Sequence, residues 1–222
     1  MASMYRHIES YKQQEERWPD KGRHIIANWS DETVLVYQAF SPSIADYAIQ
    51  NQKLGGPDFS TTRMTWIKPN FTWMMHRSKW ATKVNQERIL GIHITHSGFL
   101  EILRAAVSST YNQCFGHYEN QEEWKRDVEQ SDVIFQWDPD YNLDDVKLQR
   151  RAIQLGIRGK MLNQFLEDFV VRIEDMTPFV RETFQEKLRI DDEGGDTGDL
   201  CIIAERLYSP LPDDVKSRLG VS

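Results

Sequence analysis

The sequence predicts an α+β protein built on a mixed or antiparallel sheet with interspersed helices, and three observations carry that reading. Short β-branched and aromatic runs (TVLVYQA, ILGIHIT, VIFQW, AIQLGI) recur along the chain. Segments with apolar residues three and four apart fall irregularly between them, unlike the regular alternation of a doubly wound parallel sheet. Neither a GxGxxG after a strand nor a GxxxxGK[ST] is present, so Rossmann and P-loop readings lose their usual support.

In chain order, residues 1–22 are polar and end in the turn-rich Trp18-Pro19-Asp20-Lys21-Gly22, which reads as an extension ahead of the domain. Thr33 to Ala39 is a buried strand bounded by Asp31 and Ser41-Pro42. Pro42 then opens a helix with Ser41 as its cap, closed by Gly55-Gly56-Pro57. Met64 to Ile67 reads as a short strand, and Pro69 fits the first turn of a helix running to Ser78. Ile89 to Thr95 alternates as a strand and leads into a helix from Ser97 to Ala106. Glu119 to Glu129 is helical, and Val133 to Trp137 is a strand closed by Asp138-Pro139-Asp140. A strand over Ala152 to Ile157, a helix over Lys160 to Asp168 and a strand or helix end over Phe169 to Glu174 follow. Thr177-Pro178 caps a last helix to Leu188. The expected layout is thus one α+β domain over 23–190, with an acidic, Gly-rich loop and C-terminal tail over 191–222.

Composition narrows the function classes. The 222 residues carry a net charge of −7, which argues against a protein that coats nucleic acid non-specifically. The charge is uneven: between Ser60 and Leu90 stand Arg63, Lys68, Arg77, Lys79, Lys83 and Arg88 against only Glu87. The two cysteines, Cys114 and Cys201, lie far apart and belong to no CxxC or Cys/His spacing, so the expectation is reduced thiols and a cytoplasmic protein. His93 and His96 are three apart on a predicted strand, on opposite faces, and no metal is expected. No apolar run approaches the roughly eighteen residues of a membrane span, so no membrane partner is expected either.

The densest functional signal is RMTWIKPNFTWMMHRSKW, Arg63 to Trp80, which interleaves aromatic residues with Arg63, Lys68, Arg77 and Lys79. As a site, Arg63, Lys68 and Arg77 would meet phosphate oxygens while Trp66 stacks on a base or ring. As plain architecture, the aromatics are core and the cations the wet edge of an amphipathic helix. Lys68-Pro69 at a strand-to-helix junction favours an anion site, because a helix N-terminus is positive and donates amide protons. Tyr37 and Gln38 leave an apolar strand as a polar pair suited to a cleft. Arg172 and Glu174 share one face of a late strand, either as a salt bridge or aimed at a ligand. Gln136-Trp137-Asp138-Pro139 and Arg150-Arg151 bracket a loop whose arginines either join an anion site or stay solvated.

Together VYQAF, RMTWIKPNFTWMMHRSKW, QWDPD, IQLGI and RIEDMTP resemble the family called domain of unknown function 4291, over roughly Arg23 to Glu182. More remotely, the order of elements resembles the ADP-ribosyltransferase fold. That resemblance implies NAD as substrate, with Tyr37 and Gln38 at the cofactor-contacting end of the first strand and the segment from Trp66 to Phe71 in the central block. It also implies Glu174 as the catalytic glutamate of a late strand. The Ser-Thr-Ser motif is absent, and Arg172 stands two before Glu174 where arginine-modifying transferases carry Gln or Glu, which leaves the target class open.

Three readings compete. The first is an NAD-binding, ADP-ribosyltransferase-like enzyme that transfers or hydrolyses ADP-ribose, with a nucleic-acid or protein acceptor. Arg63, Lys68 and Arg77 then hold the pyrophosphate, Trp66 or Tyr37 stacks, and Glu174 steadies the developing oxocarbenium charge. The second is an RNA or single-stranded nucleic-acid module using the same cations and tryptophans. The third is a structural protein whose aromatic block is all core. Either of the first two requires Arg63, Lys68 and Arg77 to converge on one cleft.

Overall fold

The computed structural model describes residues 7–113 and 117–222, so Cys114 lies outside the described residues. The chain opens with β1 (Ile8–Ser10) and α1 (Tyr11–Glu15), then β2 (Gly22–Arg23), β3 (Ile26–Ala27) and the long β4 (Thr33–Phe40). Next come α2 (Pro42–Asn51), β5 (Thr65–Ile67), α3 (Phe71–Ser78), β6 (Arg88–Thr95), α4 (His96–Ala105), β7 (Val107–Ser108) and α5 (Gln121–Gln130). The remainder is β8 (Val133–Tyr141), β9 (Lys147–Ile157), α6 (Gly159–Gln164), a π turn over Phe165–Phe169, β10 (Val170–Asp175), α7 (Thr177–Asp192), β11 (Cys201–Ile203), β12 (Arg206–Leu207) and α8 (Asp213–Leu219).

The architecture is α+β. One sheet is antiparallel, in the order β10-β6-β4. The other runs β2-β9-β8-β7, with β5 also antiparallel to β9; its β2–β9 and β7–β8 pairs are parallel, so it is mixed. Side-chain alternation along β4 feeds two cores. Val34 and Val36 face a first core that includes Phe135, Trp137, Ile153, Leu155 and Ile157 of the mixed sheet and Phe99 and Ile102 of α4. Leu35 and Tyr37 face a second core with Phe71, Met74 and Met75 of α3, Met176 just before α7 and Val180 within it, and Tyr11 and Trp18. The two sheets are stitched where β4 meets the residue after β5: the Tyr37 amide donates to the Lys68 carbonyl at 2.6 Å and the Lys68 amide to the Tyr37 carbonyl at 3.1 Å.

Several sequence expectations need correction. The strand expected to stop at Trp137 runs through Asp138-Pro139-Asp140 to Tyr141. Pro139 is tolerated there because β7 covers β8 only at Ile134 and Phe135, and the ladder to β9 shifts register between Pro139 and Tyr141. Ser41 makes no side-chain cap, and α2 ends earlier than Gly55, at Gln52 in the left-handed region (φ 51°). That residue has a second use: its side-chain amide donates to the Ile173 carbonyl and accepts from the Ile173 amide, both at 3.0 Å, satisfying the outer edge of β10. The α3 helix starts two residues beyond Pro69, capped by the Asn70 side chain, which accepts from the Trp73 amide at 2.7 Å. His96 begins α4 instead of continuing the strand.

The segments expected outside the domain are built into it. β1 pairs with β11, β12 with β3, and β2 with β9. Tyr11, Trp18, Leu200, Ile202, Tyr208, Leu211, Val215 and Leu219 are all buried. No described helix is long and apolar enough to cross a membrane.

Candidate functional site

Beside the seam between the two sheets lies a cavity of about 740 Å³, lined among others by Gln38, Arg63, Trp66, Lys68, Trp73, His76, Arg77, Asp138, Tyr141 and Gln154. Strand alternation explains its floor. On β8 and β9 the residues Phe135, Trp137, Ile153, Leu155 and Ile157 point into the first core, so Gln136, Asp138 and Gln154 point the other way. Gln136 sits directly opposite Gln154, and Trp66 opposite Gly156. A Cβ on Gly156 would meet the Met64 sulfur at 2.4 Å and the Trp66 ring at 2.9 Å, so glycine is what lets both side chains lie across the sheet.

Asp138 is the acidic centre. One carboxylate oxygen accepts from the Gln136 amide at 2.8 Å and the other from the Gln154 amide at 2.7 Å. Burial pushes its carboxyl above the usual range, against the opposing pull of the Gln136 hydrogen bond and of Lys68, Arg77 and Arg151. Lys68 is the basic centre. Only 7% exposed, its ammonium lies 5.1 Å over the Trp73 ring and donates to the Trp66 carbonyl at 3.2 Å. Burial, reinforced by the Arg77 charge and resisted by Asp138, brings its pKa down to about 7. Among the described residues no carboxylate lies within ion-pair distance of Lys68, Arg63, Arg77 or Arg151, whereas Lys79 and Arg88 of the same basic segment pair with Asp145 and with Asp46 and Asp175. On one side His76 stacks on Tyr141, 3.5 Å between ring centres at 7°, and its Nδ1 pairs with Asp145.

The structure therefore brings Gln38, Arg63, Trp66, Lys68 and Arg77 to one cleft. It does not bring Tyr37 or Glu174 there. Glu174 lies across from Gly91, which lies across from Tyr37, so Glu174 and Tyr37 share the face opposite to that of Gln38. Tyr37 is fully buried in the second core, its hydroxyl donating to Glu205 at 3.1 Å, and has no face free to stack on a ligand. Glu174 lines a separate cavity of about 210 Å³ with His93 and Arg172; it contacts Arg172 at 2.5 Å and His93 at 3.1 Å. Of the loop arginines, Arg150 is buried in a 2.7 Å pair with Asp140, while Arg151 is exposed and acts on the cleft's acid only through its charge.

Sequence reasoning missed Asp138 and Gln154 as site residues, along with Trp73, His76 and Tyr141. A signal was present: polar residues at every second position (Gln136, Asp138 and Gln154) inside otherwise apolar strands. Ending the strand at Trp137 hid it. No group of three or more His, Cys, Asp or Glu among the described residues is placed to hold a metal ion.

The chain belongs to the family described as Domain of unknown function (DUF4291), whose model matches residues 24–208. No curated protein matches it.

Proposed function

We propose that the cleft binds a nucleotide and that the protein is an ADP-ribosyltransferase-like enzyme using NAD, with Asp138, not Glu174, as its carboxylate. The observation that carries this reading is the set of cations without carboxylate partners, Arg63, Lys68 and Arg77, lining one cleft with an oriented carboxylate in an acidic protein. Arginine forks and a lysine without carboxylate partners suit pyrophosphate oxygens. Trp66 and the His76–Tyr141 pair offer aromatic surface to a base or nicotinamide ring. Asp138, its two oxygens fixed by Gln136 and Gln154, is placed to stabilise positive charge at a ribose C1 as the glycosidic bond to nicotinamide breaks. The acceptor is water, a protein or a nucleic acid.

The test is nicotinamide release from NAD, with and without added RNA, DNA or lysate. Asp138→Asn is expected to retain NAD binding and to lose about 100-fold or more in turnover, the scale for removing one preorganised electrostatic group. Glu174→Gln is expected to keep wild-type rates. Wild-type turnover in Asp138→Asn would sink the assignment. Absence of release together with salt-steep RNA binding would favour the single-stranded nucleic-acid reading of the same cations and aromatics.

A further inference from the structure

We propose that Lys68 is a nucleophilic amine that condenses with the aldehyde carbon of a phosphorylated sugar held in the cleft. This rests on the reading of the cleft as a phosphate site and names a chemistry and a ligand class for it.

The Lys68 backbone is pinned on both sides by its paired hydrogen bonds to Tyr37, so the root of the side chain is fixed. Its amine is buried but faces the cavity, with one carbonyl and one indole ring as neighbours and no carboxylate within ion-pair distance among the described residues. Lys79 and Lys187, by contrast, are each paired, Lys79 with Asp145 and Lys187 with Asp144 and Asp191. Lys68 is instead desolvated and set beside a second cation, Arg77, the arrangement that keeps an amine unprotonated and reactive. With its pKa brought to about 7, a large share of the amine carries a free lone pair at neutral pH, which an exposed lysine does not.

The neighbours complete the chemistry. Arg63 and Arg77 line the cavity without carboxylate partners and are available to take a phosphate, which would hold the sugar end of a ligand there. Asp138 acts electrostatically on Lys68 and, pushed up by burial, is suited to passing protons. In the step itself, Nζ adds to the aldehyde carbon, forming the C–N bond as the carbonyl π pair moves to oxygen, and one N–H proton passes through Asp138 to that oxygen, giving the neutral carbinolamine. The second N–H proton passes through Asp138 to the hydroxyl, which leaves as water as the C=N bond forms. No oxidant or reductant is consumed. Reducing sugar phosphates expose this aldehyde when the ring opens, and ADP-ribose, the hydrolysis product under the proposed function, is one of them.

The experiment uses the full chain with ribose 5-phosphate, ADP-ribose and unphosphorylated ribose, each with and without borohydride, which reduces an imine to a stable amine. Adducts are mapped by peptide mass analysis and binding is measured by calorimetry. The expected result is a reduced adduct on Lys68 with the phosphorylated sugars, at least about tenfold over the exposed Lys79 and Lys83, and little with ribose. Lys68→Arg is expected to bind the phosphorylated sugars and form no adduct; the mapping on the wild-type chain stands if that variant does not fold. Binding without an adduct, or adducts spread over exposed lysines, overturns the inference and leaves the phosphate site intact. If ribose 5-phosphate, ADP-ribose and NAD all fail to bind, the nucleotide reading falls and this inference falls with it.

Discussion

Lys68 and Asp138 define what the site can do, and each is shaped by the same competition between burial and neighbouring charge. For Lys68 burial wins, because Arg77 adds to it and only Asp138 opposes it. The consequence for stability has a definite sign. Between about pH 7 and about 10.5 the unfolded chain holds a proton that the folded chain has released, so folding stability rises with pH across that window. Denaturant midpoints measured from pH 7 to 10 are expected to climb more steeply in the wild type than in Lys68→Met, which has nothing to titrate. Binding has the converse signature. NAD, which offers no aldehyde to condense with, would put a phosphate beside Lys68 and favour its charged form, so NAD binding at pH 8 should take up protons, visible as a calorimetric enthalpy that changes with buffer ionisation. Proton release, or none, would place the anion away from Lys68.

At the scale of elements, α3 presents Trp73, His76 and Arg77 to the cleft, and its N-terminus is fixed from two directions. Asn70 accepts from the Trp73 amide, and the wholly buried Glu205, far away in sequence, accepts from the Phe71 amide at 2.9 Å and from the Tyr37 hydroxyl. Burial drives the Glu205 carboxyl well above its ordinary range, the Tyr37 and Phe71 hydrogen bonds opposing. A raised acid of this kind stabilises the fold fully below its unfolded pKa and loses that contribution as pH rises through the folded value. Glu205→Gln, which keeps an acceptor for the Phe71 amide, is therefore expected to flatten the loss of stability as pH rises above the ordinary carboxylate range. Asn70→Ala is expected to cost about 1–2 kcal/mol, the usual value of a lost side-chain cap, measured by denaturant unfolding. β4, β6 and α4 were legible because their periodicity is local, and so was the gathering of Arg63, Trp66 and Lys68 within one short block. Asp138 was not, since a Pro inside Asp138-Pro139-Asp140 reads as a turn unless one knows that β7 leaves that stretch of β8 uncovered. Nor could local pattern reveal that Glu174 and Gln38 face opposite sides of one sheet, because that depends on the register of three strands.

For the whole molecule, the termini are the part that local reading judged least well. Residues 8–23 and 200–219 look peripheral because their partners are distant in sequence: the Trp18 indole donates to the Glu205 carbonyl 187 positions away, and Arg150 lies 5.2 Å over the Trp18 ring and donates to the Pro19 carbonyl. Arg150 in turn neutralises the buried Asp140, whose other oxygen bonds the Thr72 hydroxyl at the start of α3. The N-terminal segment thus shields an ion pair lying directly under the cleft's helix. Without the two terminal segments that pair would be opened to water, and the second core would lose Tyr11, Trp18, Leu200, Ile202 and Ile203 together. Fully burying a large apolar side chain is worth about 1.5–3 kcal/mol, so the loss of five would rival the roughly 5–15 kcal/mol by which a typical domain is stable. A fragment restricted to residues 23–190 is accordingly expected to show no cooperative thermal transition and no ligand binding, whereas the full chain shows both. A fragment that melts cooperatively near the full chain's Tm would mean that the terminal strands decorate a self-sufficient core, and that α3 is positioned without Glu205.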